Sequence, residues 1–478
     1  MATTPTTERP AGRRAAAEAY PPSPAGPIDA VTAATLARPP MVDTRPILQA
    51  LRMNVRQSSF VRAQQRRYGD VFRVDFQNDL VPEAVIVNHP DHIKSLFTAD
   101  PALAPSRTGS SPLRPIVGES SVLTAVGPRH MRQRKLLLPA FHGQAIATYQ
   151  EQIQAAADRE ISTWSTGQTF PLGPSAQAMT LDVIMAGVFG VDGRPARGTL
   201  EHRVRQRFRR ALALSMTRVA KVAEFANRQS HEAVGVQRIV VDSIDDALFP
   251  LIATRRAEHV PGERHDVLSM LLDATTEDGA QLTDQELRDE LMTLVLAGHE
   301  TTANTIAWTF ERLTRHPHAY DRLKEEVRGG EGTEYLDAVI HESMRSRPVI
   351  PMLAREVTVP WRFGEFAVPA GAVVAMSVLL LHHREDLYPD PLAFRPERFL
   401  GAKPGTYTWI PFGGGIRRCL GAALAMAEMR TVISEIVRRT DLVATEAASE
   451  SPRHRNVTMV PSRGGRVRIE RMREPARA

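Results

Sequence analysis

From about Ser121 to Arg345 apolar positions recur at helical spacing, in blocks such as QEQIQAAADREISTW, SIDDALFPLIATRRAEH and ELRDELMTLVLAGHETTANTIAWTFERLTRH. Short Gly- or Pro-containing links separate them, so the middle of the chain is predicted to be almost continuously helical. Ahead of it, RYGDVFRVDF and AVIVNHPDHIKSLF read as a strand pair running into a helix. After Pro348 the pattern shortens: EVTVPWRFGEFAVPAG and AVVAMSVLLL read as strands, then come a Pro-rich loop, a helix after Cys419 and a strand-like tail. The fold class is therefore mainly α with a small β portion, an α+β arrangement. Residues 1–40, rich in Pro, Ala and Thr, predict a disordered leader, and length alone would suggest about three domains.

The longest periodic segment starts at LTDQELRDE, where Thr283 and Glu286 fit a capping box and Asp284 adds negative charge at the positive helix end. With Pro317 marking its end it spans roughly 32 residues, or ~48 Å, enough to run through the whole molecule. In its middle LMTLVLAG gives way to HETTAN, so polar residues fall where a buried helix should be apolar. Two readings stand. Thr301 bonds back to the carbonyl one turn earlier while Glu300 reaches solvent, or the helix opens locally beside a cavity where an acid and a hydroxyl handle protons.

Charge narrows the partners. Sixty basic residues are offset by 54 acidic ones, and the formal charge of +6 is spread along the chain without the aromatic interleaving of a nucleic-acid platform. The apolar runs at Leu291 and Ala372 fall short of the ~18–20 residues of a membrane span. With no signal-type apolar core at the N-terminus and one cysteine, a reducing cytoplasm is expected.

That cysteine, Cys419, lies in PFGGGIRRCLGAALAMAEM. Alone it makes no intrachain disulfide and no multi-thiolate cluster, so it is either core filling or a used thiolate. Gly413, Gly414 and Gly415 before it and Gly421 after it allow close approach of a flat ligand to the main chain. The helix that follows puts Cys419 near free N–H groups that stabilise a thiolate. Two residues before it stands Arg417, and GPRHMRQRKLL places His130 and Arg134 on one helical face, with Arg129, Arg132 and Lys135 around them. A soft anionic sulfur, a flat surface and nearby cations suit a haem with its propionates paired to Arg and His.

Together these residues closely resemble the cytochrome P450 family. Its Phe-x-x-Gly-x-Arg-x-Cys-x-Gly signature is complete as Phe412, Gly415, Arg417, Cys419 and Gly421; its Glu-x-x-Arg pair is Glu342 and Arg345; PERF is Pro396–Phe399; AGHETT matches the oxygen-activation motif. His130 and Arg134 meet the His-x-x-x-Arg propionate motif, and Arg355 sits where many members place a further propionate partner. The resemblance spans about residue 45 to Gly421.

The resemblance implies a single domain over 41–478 with the P450 fold and a long helix over the haem, heme b ligated by Cys419, and O2 as co-substrate. Catalytic residues would be Glu300 and Thr301, with Thr302 a weaker candidate. Glu342, Arg345 and Arg398 would form a buried charge cluster that holds the cysteine loop. The implied activity is insertion of one oxygen atom into a lipophilic molecule such as a fatty acid, terpenoid, steroid or polyketide. Leu296, Ala297, Val349–Leu353 and the loop before Gly127 would line the pocket. Electrons would come from NAD(P)H through a separate ferredoxin or flavodoxin and reductase, because the chain has no Gly-x-Gly-x-x-Gly motif and no iron–sulfur cysteines. Arg129, Arg132, Lys135 and Arg418 would flank the docking face of a monomer. The alternatives are a peroxide-dependent enzyme, or a haem-based sensor or carrier without turnover.

Overall fold

The computed structural model describes residues 20–474 apart from 77–82, 112, 142–143, 192–193, 216–231, 276–278, 331 and 456. A central helix, Asp284–Leu313, organises it. The capping box read from LTDQELRDE is present: the Thr283 hydroxyl accepts from the Glu286 N–H, and the Glu286 carboxylate accepts from the Thr283 N–H. The helix ends four residues before Pro317, which begins the next helix, Pro317–Gly329.

Most of the central helix is buried, which explains why its sequence is not cleanly two-faced. It packs closely against Leu172–Phe189, and also against Val236–Ala257 and Ala422–Arg439. Leu172–Phe189 is long and apolar enough to cross a membrane, yet most of it is inside the protein. Where these two helices cross, the Thr180 hydroxyl donates to the His299 carbonyl at 2.8 Å. A Cβ on Gly298 would come within 2.8 Å of Ile184 Cδ1. The expected opening of the helix at Gly298–Thr302 is not found: the helix runs unbroken, and its glycine serves the close crossing.

A four-stranded sheet stands to one side, in the order Val71–Asp75, Glu83–Val87, Val373–Ser377, Met352–Glu356. The first pair is antiparallel, as the alternating pattern implied, and Glu83–Val87 runs parallel to Val373–Ser377. The expected strand AVVAMSVLLL is only half strand. Ser377 caps a helix, Val378–His382, its hydroxyl accepting from the Leu380 N–H, and that local hydrogen bond ends the ladder. The strand-like tail is Arg466–Met472, paired with Thr440–Ala444.

The disordered leader is corrected for residues 20–40; residues 1–19 lie outside the described residues. Ala25–Pro27 pairs antiparallel with Trp361–Phe363, and Ala30–Thr35 is helical. The Ser23 N–H donates to Asp91 at 2.9 Å and His89 donates to the Pro21 carbonyl at 3.1 Å. The composition argument asked whether this segment could build a core of its own. It borrows one instead, and proline-restricted backbone docks in extended form at little entropic cost.

Candidate haem and oxygen site

A cavity of about 1190 Å³ runs beside the central helix and is lined by Cys419, His130, Arg134, Arg355, Arg417, Glu300 and Thr301 alike. Phe412, Gly421 and the expected pocket residues Leu296, Ala297 and Val349–Leu353 border the same space, as do Val122 and Leu123 of the loop before Gly127. Thus residues spread over about 300 positions of sequence meet around one volume.

The cysteine loop is held on both sides. Gly413 and Gly415 have φ of 68° and 62°, where a side chain is strained. A Cβ on Gly414 would lie 2.4 Å from the Phe97 ring, and one on Gly415 2.4 Å from the Phe97 carbonyl oxygen. These glycines therefore let the loop press against Phe97. Gly421 differs: its φ is −85° and a Cβ would make only ordinary contact with Phe141 at 3.9 Å, so no neighbouring protein atom demands glycine there. The Cys419 N–H donates to the Phe412 carbonyl at 2.9 Å. The thiol is open to the cavity yet ringed by protein. Burial pushes its pKa up, while the Gly421 N–H, Arg134 and Arg418 pull it down.

At the cavity edge the cations converge. Burial first, then Arg417, Arg134 and Arg355, holds His130 down to about 4. Arg417 is lowered to about 10 by burial and by Arg355 and Arg134, and Arg355 to about 10 by burial. Arg417 donates to the Val122 carbonyl at 3.2 Å and to that of Ala125; Arg134 donates to the Arg418 carbonyl at 2.8 Å. None of the three arginines has a carboxylate partner among the described residues. A mutually repelling set of this kind fits a ligand carrying two negative charges, as the propionates of haem do. Among the described residues no three His, Cys, Asp or Glu side chains gather to hold a metal by themselves.

On the central helix, the Thr301 hydroxyl donates to the Ala297 carbonyl at 2.9 Å, as the first reading of HETTAN expected. Glu300 does not behave as that reading expected. Its Oε1 accepts from Arg455 Nη2 at 2.6 Å, Arg455 Nε at 2.9 Å and the Thr458 hydroxyl at 2.9 Å. Arg455 and Thr458 belong to a two-stranded hairpin, Pro452–Arg455 with Thr458–Pro461. Nothing local in the sequence announces that pairing. Thr302 borders the same cavity and is mostly buried beside Glu428, another of its lining residues, whose carboxyl burial pushes up to about 8 while the Thr302 hydroxyl pulls it partly back. Glu428 was legible in principle, since it falls on the Leu424–Glu428–Val432 stripe of an otherwise apolar helix face. One turn beyond Glu300, buried Asn304 lines the cavity with its Nδ2 unpartnered among the described residues.

The charge cluster beneath the loop matches the sequence reading and extends it. Arg345 and Glu342 are fully buried and joined by two bonds of 2.6 and 2.8 Å, with Arg398 Nε 3.6 Å from Glu342. Arg345 also donates to the His382 carbonyl at 2.8 Å, and His382 Nε2 accepts the Ile410 N–H at 2.9 Å. Tyr388, under the Arg345 guanidinium, donates to the Thr408 carbonyl at 2.8 Å. His382 and Tyr388 thereby tie the cluster to the chain entering Phe412. The expected docking cations are partly spent: Arg132 pairs with Glu286 at 2.8 Å and Arg129 lies 3.7 Å from Glu119.

A family profile described as Cytochrome P450 matches residues 41–468. A putative cytochrome P450 137 of Mycobacterium tuberculosis is 38% identical over 405 residues, 84% of either chain. A putative cytochrome P450 135B1 of Mycobacterium bovis is 36% identical over 420 residues, 87% of this chain and 88% of its own. Among solved structures, retinoic acid bound cyanobacterial CYP120A1 superposes with a TM-score of 0.74 at 22% identity, covering 91% of this chain and 99% of its own. The heme domain of cytochrome P450DA gives 0.77 at 22% identity, with 92% and 99% covered. Profile, relatives and fold agree with the cysteine loop and its cationic rim: the chain belongs to the cytochrome P450 family of haem-thiolate monooxygenases.

Proposed function

We propose that the protein inserts one atom of O2 into a lipophilic small molecule of the fatty acid, terpenoid, steroid or polyketide kind. Electrons come from NAD(P)H through a separate ferredoxin or flavodoxin and its reductase, in the cytoplasm, with the protein acting as a monomer. The observation that carries this reading is the single cavity bordered both by Cys419 with its cationic rim and by the Glu300–Thr301 pair.

Cys419 would hold the haem iron, and His130, Arg134, Arg355 and Arg417 its propionates. Bound there, haem supplies the activation of O2 and the thiolate raises electron density for O–O cleavage. The chain's own part is protons and position. Glu300, kept in place by Arg455 and Thr458, is the acid–base group nearest Thr301 along the helix. Thr301 can donate its hydroxyl proton to Ala297 or turn it into the cavity while its oxygen accepts from elsewhere. The lining is chiefly apolar, which supports a lipophilic substrate.

Two measurements test this. Lipophilic compounds titrated against the haem-loaded protein should shift its absorption spectrum in a saturable way. A compound that does so should yield an oxygenated product with a surrogate ferredoxin, reductase, NADPH and O2. Turnover with hydrogen peroxide alone at an equal rate, or tight binding with no product under either regime, would replace the monooxygenase reading.

A further inference from the structure

The helix Pro46–Val55 is turned the wrong way for an ordinary surface helix. Ile47, Leu51 and Val55 form a stripe at four-residue spacing and are 70%, 57% and 60% exposed, with Leu48 beside them at 39%. The inner face is fixed: buried Gln49 donates to the Val42 and Thr44 carbonyls at 2.9 and 2.6 Å and accepts the Asp75 N–H at 3.0 Å. Met53, one turn on, packs into the core with Phe60 and Phe72. The apolar stripe therefore cannot roll inward without breaking three hydrogen bonds.

Charge surrounds it with one sign. Residues 45–67 hold Arg45, Arg52, Arg56, Arg62, Arg66 and Arg67 and no Asp or Glu. Arg67 is used by Asp43 and Arg62 bonds to the Ser58 carbonyl. Arg45, Arg52 and Arg56, next to the stripe, are exposed and make no ion pair among the described residues.

We propose that this face docks the protein on an anionic phospholipid surface, with Ile47, Leu48, Leu51 and Val55 entering the headgroup–acyl boundary and Arg45, Arg52 and Arg56 meeting lipid phosphates. Four aliphatic side chains amount to an exposed patch on the order of a few hundred Å². A stable protein partner needs about 1,000 Å² or more with matched shape, whereas a lipid surface needs only apolar area and opposite charge. A second copy of this chain is disfavoured on charge, because a two-fold contact would bring the arginines of both copies together. The helix leads into Gln57, which lines the cavity, so the docked face adjoins a wall of the substrate space. The inference does not depend on what the cavity oxidises.

Co-sedimentation of the full-length protein with vesicles decides it. Mixed phosphatidylcholine and phosphatidylglycerol vesicles should carry the protein down, phosphatidylcholine alone much less, and added salt should release it. Neutralising Arg52→Gln and Arg56→Gln should weaken binding by about fivefold for each arginine, and Leu51→Glu by more than tenfold, with thermal unfolding in solution unchanged for all of them. Absence of vesicle binding, or binding that ignores these substitutions, overturns the proposal. So does a dimer in analytical ultracentrifugation that Leu51→Glu dissolves.

Discussion

Arg455 grips Glu300 through a single carboxylate oxygen, with Nη2 at 2.6 Å and Nε at 2.9 Å from Oε1. The pair joins the C-terminal hairpin to the central helix across 155 positions of sequence. Because both side chains are largely out of solvent, the contact is a strong one for its size. It makes Arg455 a positioning residue for the acid beside Thr301. In Arg455→Met, product formed per NADPH consumed should fall on the order of tenfold, less than the hundredfold or more expected from losing an acid–base group outright. Haem content and substrate-induced spectral shift should not change. Equal loss in Glu300→Gln and in the double variant would show that the two act as one unit; additive losses would refute it.

Arg345 and Glu342 are both fully buried, so each leaves an uncompensated ion if the other goes. Arg345→Met should cost ~3–5 kcal/mol. Because Arg345 also holds His382 and underlies Tyr388, the damage should reach the cysteine loop and appear as lost haem per protein. Arg345→Lys should not rescue it, since one ammonium cannot replace a fork that donates to Glu342, His382 and Pro391 together. Full haem incorporation by the lysine variant would contradict this role.

The glycines of the loop separate by cause. Gly415→Ala puts a Cβ 2.4 Å from the Phe97 carbonyl at a φ of 62°, and backbone cannot yield as a side-chain tip can. It should lose ~1–3 kcal/mol of stability. Gly421→Ala meets only Phe141 at 3.9 Å, so its thermal unfolding without haem should stay near wild type. Its effect, if the loop faces a flat cofactor, should appear as reduced haem affinity. The reverse order of effects in calorimetry and haem titration would reject the assignment.

How much of this was legible depends on the range over which each feature is decided. The capping box at Thr283 and the first strand pair are set by residues close in sequence, and they read correctly; the turn geometry of the cysteine loop, with its positive-φ glycines, is decided over a similarly short range. Gly298 was visible as an anomaly, but its reason, the Ile184 side chain of another helix, was not. The Arg455–Glu300 pair and the His382–Ile410 bond depend on chain brought together by the fold, and no local pattern encodes either. The segment Tyr20–Pro40 failed for a related reason: composition reports whether a stretch can bury itself, not whether a neighbour will bury it.

Glu290 gives a pH test. Buried on the central helix, it accepts the Val122 N–H at 2.9 Å through Oε1, and its Oε2 has no partner among the described residues. Burial, with Asp289 and Glu286 nearby, pushes it up to about 8. The folded chain thus binds a proton that the unfolded chain releases near 4.5. Stability from this group is present below that value and lost progressively as pH rises toward 8. Glu290→Gln, neutral throughout, should match wild type at pH 5 within about 1 kcal/mol and exceed it near pH 8. Denaturant melts at the two pH values decide it, and parallel curves would show that Glu290 is charged in the fold.

Thr301 and Thr302 are adjacent, and their hydroxyls do different things. Thr301 spends its proton on the Ala297 carbonyl, a bond the helix does not need because that carbonyl already serves the ladder. It is therefore free to exchange that bond for one into the cavity. The Thr302 hydroxyl lies beside Glu428, whose carboxyl burial pushes up to about 8 and Thr302 pulls partly back. Removing the two hydroxyls should separate the roles. Thr301→Ala should leave stability within ~1 kcal/mol while NADPH consumption uncouples from product and peroxide accumulates. Thr302→Val should retain coupling and instead lose about 1 kcal/mol of stability, because the hydroxyl beside the Glu428 carboxyl is gone. If Thr302→Val uncoupled turnover and Thr301→Ala did not, the hydroxyl facing Glu428 would be the functional one, and protons would reach the cavity from the helix that follows Cys419.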